Sequence, residues 1–189
     1  MNQTYPYDIQ FLNLEGKDAN KQKVESYLKK QNPRLLLFHG HGDNKTIFGF
    51  KDEILIEMND NDFLLKDKIV YSLTCDSAKE LGINAVKNGT EAFIGYKAPF
   101  VIFTDTQREA NPAKDHIAES FLSPATKISI SLLNGKTAQE ALNRSKEDFK
   151  KELRRFITGS AIDGADRIAA ALLWDMTNQV VLGNKEARI

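Results

Sequence analysis

The sequence predicts an α/β fold in which helices cover both faces of a mostly parallel β-sheet. Three continuous apolar runs, at residues 35–38, 69–73 and 92–95, are typical of strands buried on both faces. Helical stretches alternate with these runs, and strand–helix–strand units in this order favour parallel pairing. The chain has 189 residues without an internal repeat or a linker, which predicts one domain over residues 1–189.

The first half of the chain alternates strands and helices. The expected elements are, in order, a strand at 8–14, a helix at 17–31 with Val24, Tyr27 and Leu28 on its apolar side, a strand at 35–38, a hairpin within 46–57, a strand at 69–73, a helix at 77–88, a strand at 92–95 and an extended piece at 100–103. Gly89 supplies the stop signal for the second of these helices.

The second half is mainly helical. The expected elements are a polar surface loop at 105–114, a largely helical stretch at 115–156 that breaks near 123–124 and near 134–135, a helix at 165–176 and a closing strand at 179–183. One packing face is predicted for the later part of the helical stretch, formed by Ala138, Ala141, Leu142, Ser145, Phe149, Leu153 and Phe156.

Composition limits the classes of function. The 26 basic and 26 acidic residues give a formal net charge of zero, which removes the usual electrostatic argument for nucleic-acid or anionic-membrane partners. The apolar run at 168–174 is too short to span a bilayer, and residues 1–11 do not have the pattern of a signal peptide. One cysteine cannot form an internal disulfide. We therefore expect a cytoplasmic protein.

Two of the predicted inner strands end in reactive side chains. The run at 35–38 continues into His39-Gly40-His41-Gly42-Asp43, and the run at 69–73 leads to Cys75 at the predicted start of a helix. A helix N-terminus favours a thiolate, a histidine on the neighbouring strand can move the proton, and glycine lets a backbone N–H approach an oxyanion. A lone buried cysteine is more often a small apolar residue of the core. The hypothesis of a catalytic cysteine therefore depends on Cys75 and the histidines together, at the ends of two neighbouring strands.

The same motifs resemble those of the caspase-like cysteine peptidases, and most closely those of CHAT-domain proteases. The resemblance covers roughly residues 8–184. Its segments, in order, are the apolar strand and His-Gly turn at 35–42, the strand and Cys-Asp-Ser at 69–77, the strand at 89–95, the leucine–glycine–lysine and alanine–leucine segment at 132–142, and the closing strand at 180–184.

The resemblance implies a three-layer α/β/α sandwich, either a minimal version of the domain or part of a longer protein. It also implies hydrolysis of peptide bonds in a protein or peptide substrate through a thioester on Cys75, without a cofactor. An activating protein partner or a second copy of the chain fits the same family. The residues carried over are Cys75 as nucleophile, His41 as general base with His39 as the alternative, the backbone N–H groups of Gly42 and Cys75 as oxyanion hole, and Asp76, Tyr96 and Lys97 at the substrate pocket.

Two other interpretations remain open. The spacing of His39, His41 and Asp43 resembles the metal-binding motif of the metallo-β-lactamase fold, although Asn44 stands where that motif has a further histidine. A zinc hydrolase would need more ligands than this segment offers. The other interpretation is a caspase-like module that binds a partner without catalysis, because a fold does not by itself imply an activity.

Overall fold

Five α-helices and two β-sheets form the part of the chain that this computed structural model describes, which is residues 9–105, 108, 114–159 and 163–189. In chain order the elements are α1 (Lys21–Gln31), β1 (Leu35–His39), β2 (Thr46–Phe48), β3 (Ile54–Glu57), β4 (Ile69–Leu73), α2 (Leu81–Lys87), β5 (Ala92–Tyr96), α3 (His116–Leu133), α4 (Ala138–Thr158), α5 (Ala165–Asn178) and β6 (Gln179–Gly183). Short 3₁₀ turns lie at Gly16–Asp18, Phe50–Asp52 and Asp62–Leu65. The predicted α/β class is confirmed.

The main sheet has the strand order β1-β4-β5-β6. β4 is parallel to both β1 and β5, whereas β6 runs antiparallel to β5. The prediction of a mostly parallel sheet is therefore confirmed. Every residue of β4 and β5 is buried, which explains why their sequences are continuous apolar runs. β2 and β3 form the predicted antiparallel hairpin outside this sheet.

β1 lies at the edge of the main sheet, and the prediction that it is buried on both faces is wrong. Its residues are half-buried or exposed, and Leu37 is 37% exposed. No described residue pairs with the outer side of β1. Residues 9–14, where a strand is predicted, form no ladder, and Asp8 lies outside the described residues. A groove of 1070 Å³ runs between β1 and residues 9–16.

Helices lie on both faces of the main sheet, as predicted. On one face, α3, α4 and α5 cover Tyr71 and Ile94. On the opposite face, α1, α2 and the hairpin cover Val70 and Phe93. The odd and even residues of each strand point to opposite faces, so each strand contributes to both clusters.

α3 continues through Pro124, so the predicted break near 123–124 is wrong. A proline inside a helix removes one i→i−4 hydrogen bond, but tertiary contacts hold this turn in place. The hydroxyl of Ser145 donates to the carbonyl of Pro124 (2.8 Å), and the hydroxyl of Tyr71 donates to the carbonyl of Ala125 (2.8 Å). The predicted break near 134–135 is confirmed, with Gly135 at φ 72°.

α4 confirms the predicted packing face and begins with a capping box between Thr137 and Glu140. The helix predicted at 17–31 begins only at Lys21, and Tyr27 is 37% exposed. The stretch at 100–103 is in no strand, and most of the loop predicted at 105–114 lies outside the described residues. Among the described residues, no helix has both the length and the apolar character needed to cross a membrane.

Candidate active site

Three parallel strands end at one edge of the main sheet, and the chemically reactive residues follow them there. β1 continues into His39–Asp43, β4 into the turn that holds Cys75, and β5 into the segment 97–101. Because β4 lies between β1 and β5, Cys75 is placed between the histidines and that segment. In open α/β sheets this edge is where ligands bind.

The His-Gly turn after β1 packs directly against the residue that precedes Cys75. The N–H of Gly40 donates to the carbonyl of Leu73 (3.3 Å). A Cβ atom on Gly42 would lie 2.8 Å from both Cβ and Oγ1 of Thr74, a distance that real Cβ atoms do not tolerate. The absence of a side chain at Gly42 therefore allows the two turns to touch.

Two backbone N–H groups in these turns, those of Gly42 and Cys75, are unpaired within the described part of the chain. The residues on either side of Gly42 form hydrogen bonds with the hairpin. The N–H of Phe48 donates to the carbonyl of His41 (3.1 Å), and the N–H of Asp43 donates to the carbonyl of Thr46 (2.9 Å). In this antiparallel pattern the N–H of Gly42 itself points away from the hairpin. Among the described residues, neither that N–H nor the N–H of Cys75 has an acceptor. Unpaired backbone donors of this kind can stabilise an oxyanion.

Cys75 is half-buried and begins a turn rather than a helix. Residues 75–80 form turns, and α2 starts only at Leu81, so the expected effect of a helix N-terminus on the thiol does not apply. The Sγ atom lies 4.0 Å from the carbonyl oxygen of Phe100. Asp76 adopts the left-handed region with φ 54°, a conformation that costs a non-glycine residue roughly 1–3 kcal/mol and is frequent at functional sites.

The two histidines after β1 differ in how their rings are held. The ring of His39 makes an edge-to-face contact with the ring of Tyr71, with centroids 6.0 Å apart. Partial burial of the imidazole lowers the pKa of His39. His41 is exposed, and its ring has no partner among the described residues.

The predicted pocket residues fall in different environments. Asp76 is half-buried beside Cys75, and Lys97 is exposed at the end of β5. Tyr96 is fully buried, and its hydroxyl accepts a hydrogen bond from Nε2 of Gln179 (2.8 Å). The assignment of Tyr96 to a substrate pocket is therefore wrong, because its side chain points into the core. Burial also raises the pKa of this phenol well above its usual value.

The side chains of the metal-site interpretation do not form a cluster. Within residues 9–105, 108, 114–159 and 163–189, no three side chains of His, Cys, Asp or Glu are close enough to hold one ion. The carboxylate of Asp43 instead accepts the N–H of Lys45 (2.8 Å) in a local turn. His116 is the one histidine of the chain outside this motif, and it lies on α3, where its ring contacts Glu119. The donor set that a zinc hydrolase needs is not assembled by these residues.

One buried carboxyl near the site is not predicted by the sequence analysis. Asp175 lies near the end of α5, is fully buried, and accepts the N–H of Val101 (2.9 Å). Burial raises the pKa of this carboxyl to about 8. The signal in the sequence is a lone acidic residue directly after the apolar run at 168–174. Such a residue is rarely buried unless a specific partner holds it.

Comparison with protein-family models finds no family that matches this chain, and comparison with curated proteins finds no matching relative. The class of the protein therefore rests on its fold, an α/β domain with a mostly parallel four-stranded sheet, and on the residues at the carboxyl ends of the strands.

Proposed function

We propose that this chain is a caspase-like cysteine peptidase, most similar to CHAT-domain proteases, with a three-layer α/β/α fold. One observation carries the proposal. The His41-Gly42 turn packs on Thr74, directly before Cys75, at the ends of adjacent parallel strands. This arrangement puts a histidine, a thiol and two unpaired N–H groups at one edge of the sheet, which are the groups that acyl transfer needs.

In the proposed mechanism the imidazole of His41 takes the proton from Sγ of Cys75. The thiolate attacks the carbonyl carbon of the peptide bond, and the N–H groups of Gly42 and Cys75 stabilise the oxyanion. As the C–N bond breaks, the protonated His41 donates its proton to the leaving amine, and a thioester remains on Cys75. A water molecule, deprotonated by His41, hydrolyses the thioester and restores the free thiol. Asp76 and Lys97 flank the proposed substrate pocket.

His41 is the preferred base because the ring of His39 is engaged in the edge-to-face contact with Tyr71, whereas the ring of His41 has no partner among the described residues. A base must come within hydrogen-bond reach of the proton it takes, although such contacts are often long before substrate binds.

The second candidate function is a caspase-like module that binds a partner without catalysis. It is favoured by the contact that Sγ of Cys75 makes, because this contact is with the carbonyl of Phe100 rather than with an imidazole. A cysteine held in this way is an ordinary thiol unless a histidine moves to it.

We expect alanine at His41 to slow peptide hydrolysis by about 100- to 10,000-fold, and to slow the alkylation of Cys75 near neutral pH by about tenfold, because a cysteine without a base is still a few per cent thiolate there. The reason is that His41 removes the thiol proton in both reactions. Intact-mass measurement of iodoacetamide labelling, from about pH 5 to about pH 9, follows the thiolate directly. A peptide-library screen with Cys75→Ser as the blank measures hydrolysis.

His39→Ala and His116→Ala are the matched controls, because they remove the other two histidines of the chain. Both should keep the labelling profile of the wild type. If His39→Ala alone changes the profile, the assignment of the base to His41 is wrong. If all four proteins label as an ordinary thiol and hydrolyse no peptide, the interaction module becomes the preferred function.

A further inference from the structure

The segment 97–101 is held by the last turns of α5. The segment follows β5, and every second residue in it contacts the helix. The hydrogen bonds are Lys97 N–H to Asn178 O (3.0 Å), Trp174 Nε1–H to Pro99 O (3.0 Å) and Val101 N–H to Asp175 Oδ1 (2.9 Å). The helix therefore fixes the segment along its whole length.

The intervening residues of the segment face the turn that carries the cysteine. The carbonyl of Ala98 accepts the N–H of Asp76 (3.5 Å), and the carbonyl of Phe100 lies 4.0 Å from Sγ of Cys75. The segment therefore contacts α5 through Lys97, Pro99 and Val101, and the cysteine turn through Ala98 and Phe100. Movement of the segment would move its carbonyl oxygens relative to the thiol.

Asp175 differs from the other two contacts on α5. Asn178 contributes a main-chain carbonyl, and Trp174 is 47% exposed. Asp175 contributes a fully buried side chain, and its Oδ2 atom has no hydrogen-bond partner among the described residues. Burial raises the pKa of Asp175 to about 8. Burial also raises the pKa of the Tyr96 phenol, and the charge of Asp175 adds to that increase. Near neutral pH this carboxyl is therefore mostly protonated.

We propose that Asp175 is a positioning residue for Cys75, acting through the segment 97–101, whose carbonyl oxygens at Ala98 and Phe100 set the orientation of the cysteine turn. The proposal rests on the proposed function in that it treats Cys75 as the nucleophile. Asp175 touches neither the thiol nor the substrate, so its effect is on geometry. Burying a carboxyl costs more free energy than one hydrogen bond to the Val101 N–H returns. A purely structural role therefore explains Asp175 poorly.

The test compares Asp175→Leu, which keeps the branched shape of the side chain but loses the acceptor, with Asp175→Asn, which keeps an acceptor oxygen. We expect Asp175→Leu to slow peptide hydrolysis by about tenfold or more, since misplacement of a reacting group by about 1 Å can cost about 100-fold. Its Cys75 alkylation profile should move to lower pH, because the carbonyl that accepts from the neutral S–H leaves the sulfur. Asp175→Asn should restore both readouts.

Asp166→Leu and Asp166→Asn are the matched controls, because Asp166 is exposed in the first turn of α5. They should match the wild type. If Asp175→Leu does not fold, Trp174→Phe removes another bond to the same segment from an exposed position and should move the readouts in the same direction. A folded Asp175→Leu or Trp174→Phe protein with the wild-type hydrolysis rate and alkylation profile would overturn the proposal.

A separate readout distinguishes this proposal from the proposed function. If wild-type Cys75 labels as an ordinary thiol and no peptide is hydrolysed, the peptidase assignment fails, but the coupling is still measurable by amide hydrogen exchange. Faster exchange of the Asp76 N–H in Asp175→Leu, with recovery in Asp175→Asn, supports positioning of the cysteine turn by Asp175. An unchanged exchange rate of the Asp76 N–H in Asp175→Leu would show that Asp175 does not position the cysteine turn.

Discussion

Gly42→Ala is expected to reduce peptide hydrolysis by about 100- to 1,000-fold, the usual cost of losing one oxyanion donor. The new methyl group would lie 2.8 Å from Cβ and Oγ1 of Thr74 and 3.0 Å from the carbonyl oxygen of Thr46. Thr74 cannot easily yield, because it is 1% exposed and its hydroxyl is hydrogen-bonded to that of Ser72 (2.7 Å). The His-Gly turn must therefore move away from the cysteine turn, and its free N–H moves with it.

The measurement compares hydrolysis with alkylation of Cys75 in the same Gly42→Ala protein. Alkylation forms no oxyanion, so it should fall far less than hydrolysis does. Gly159→Ala is the matched control, because its new methyl group meets only the Arg155 carbonyl oxygen, at 3.8 Å. A Gly42→Ala protein that hydrolyses peptides at the wild-type rate would show that this N–H takes no part in the reaction.

The main sheet could be predicted from the sequence where burial is complete. β4 and β5 are buried along their whole length, so each is a continuous apolar run, and α4 has a helical period because only one side of it is covered. β1 has the same kind of apolar run but lies at an edge. A short apolar run does not reveal whether its outer side is covered, and this explains the error at β1.

Part of the candidate site could also be predicted from the sequence, and part of it could not. The arrival of His41 and Cys75 at one edge follows from parallel pairing of β1 and β4, which the order of the elements already predicts. The contacts of Asp175 and Tyr96 could not be predicted. Asp175 binds Val101 across 74 residues of chain, and Tyr96 binds Gln179 across 83. Contacts so distant in sequence depend on how α5 and β6 pack, and no local pattern encodes that.

Pro124 illustrates how tertiary contacts overrule a local signal. Proline inside a helix costs about 3 kcal/mol by propensity, which is why a break is predicted. The hydrogen bonds from Ser145 and Tyr71 to consecutive carbonyls hold that turn of α3 against α4 and β4. The same buried polar contacts place β4, and hence the start of the cysteine turn, relative to the helical layer.

Asp175→Asn is expected to remove a large pH dependence of the free energy of unfolding. Burial raises the pKa of Asp175 from 3.8 in the unfolded chain to about 8 in the folded protein, so between these values the folded state binds more protons. Stability from this group is then fully present below about pH 4 and is lost as pH rises toward about 8. At about 1.4 kcal/mol per pH unit, the loss is on the order of 5 kcal/mol. Asparagine does not titrate and avoids it.

Urea unfolding at about pH 5, 7 and 9 measures this difference for wild type, Asp175→Asn and the exposed control Asp166→Asn. The comparison is made between variants because other carboxyls oppose the trend. Glu140 and Asp148, for example, have lowered pKa values, so their contributions are lost at low pH. The wild type and Asp166→Asn should lose stability together relative to Asp175→Asn as pH rises. Three parallel curves would mean that Asp175 stays ionised in the folded protein, and the Val101 N–H would then be held by a charge.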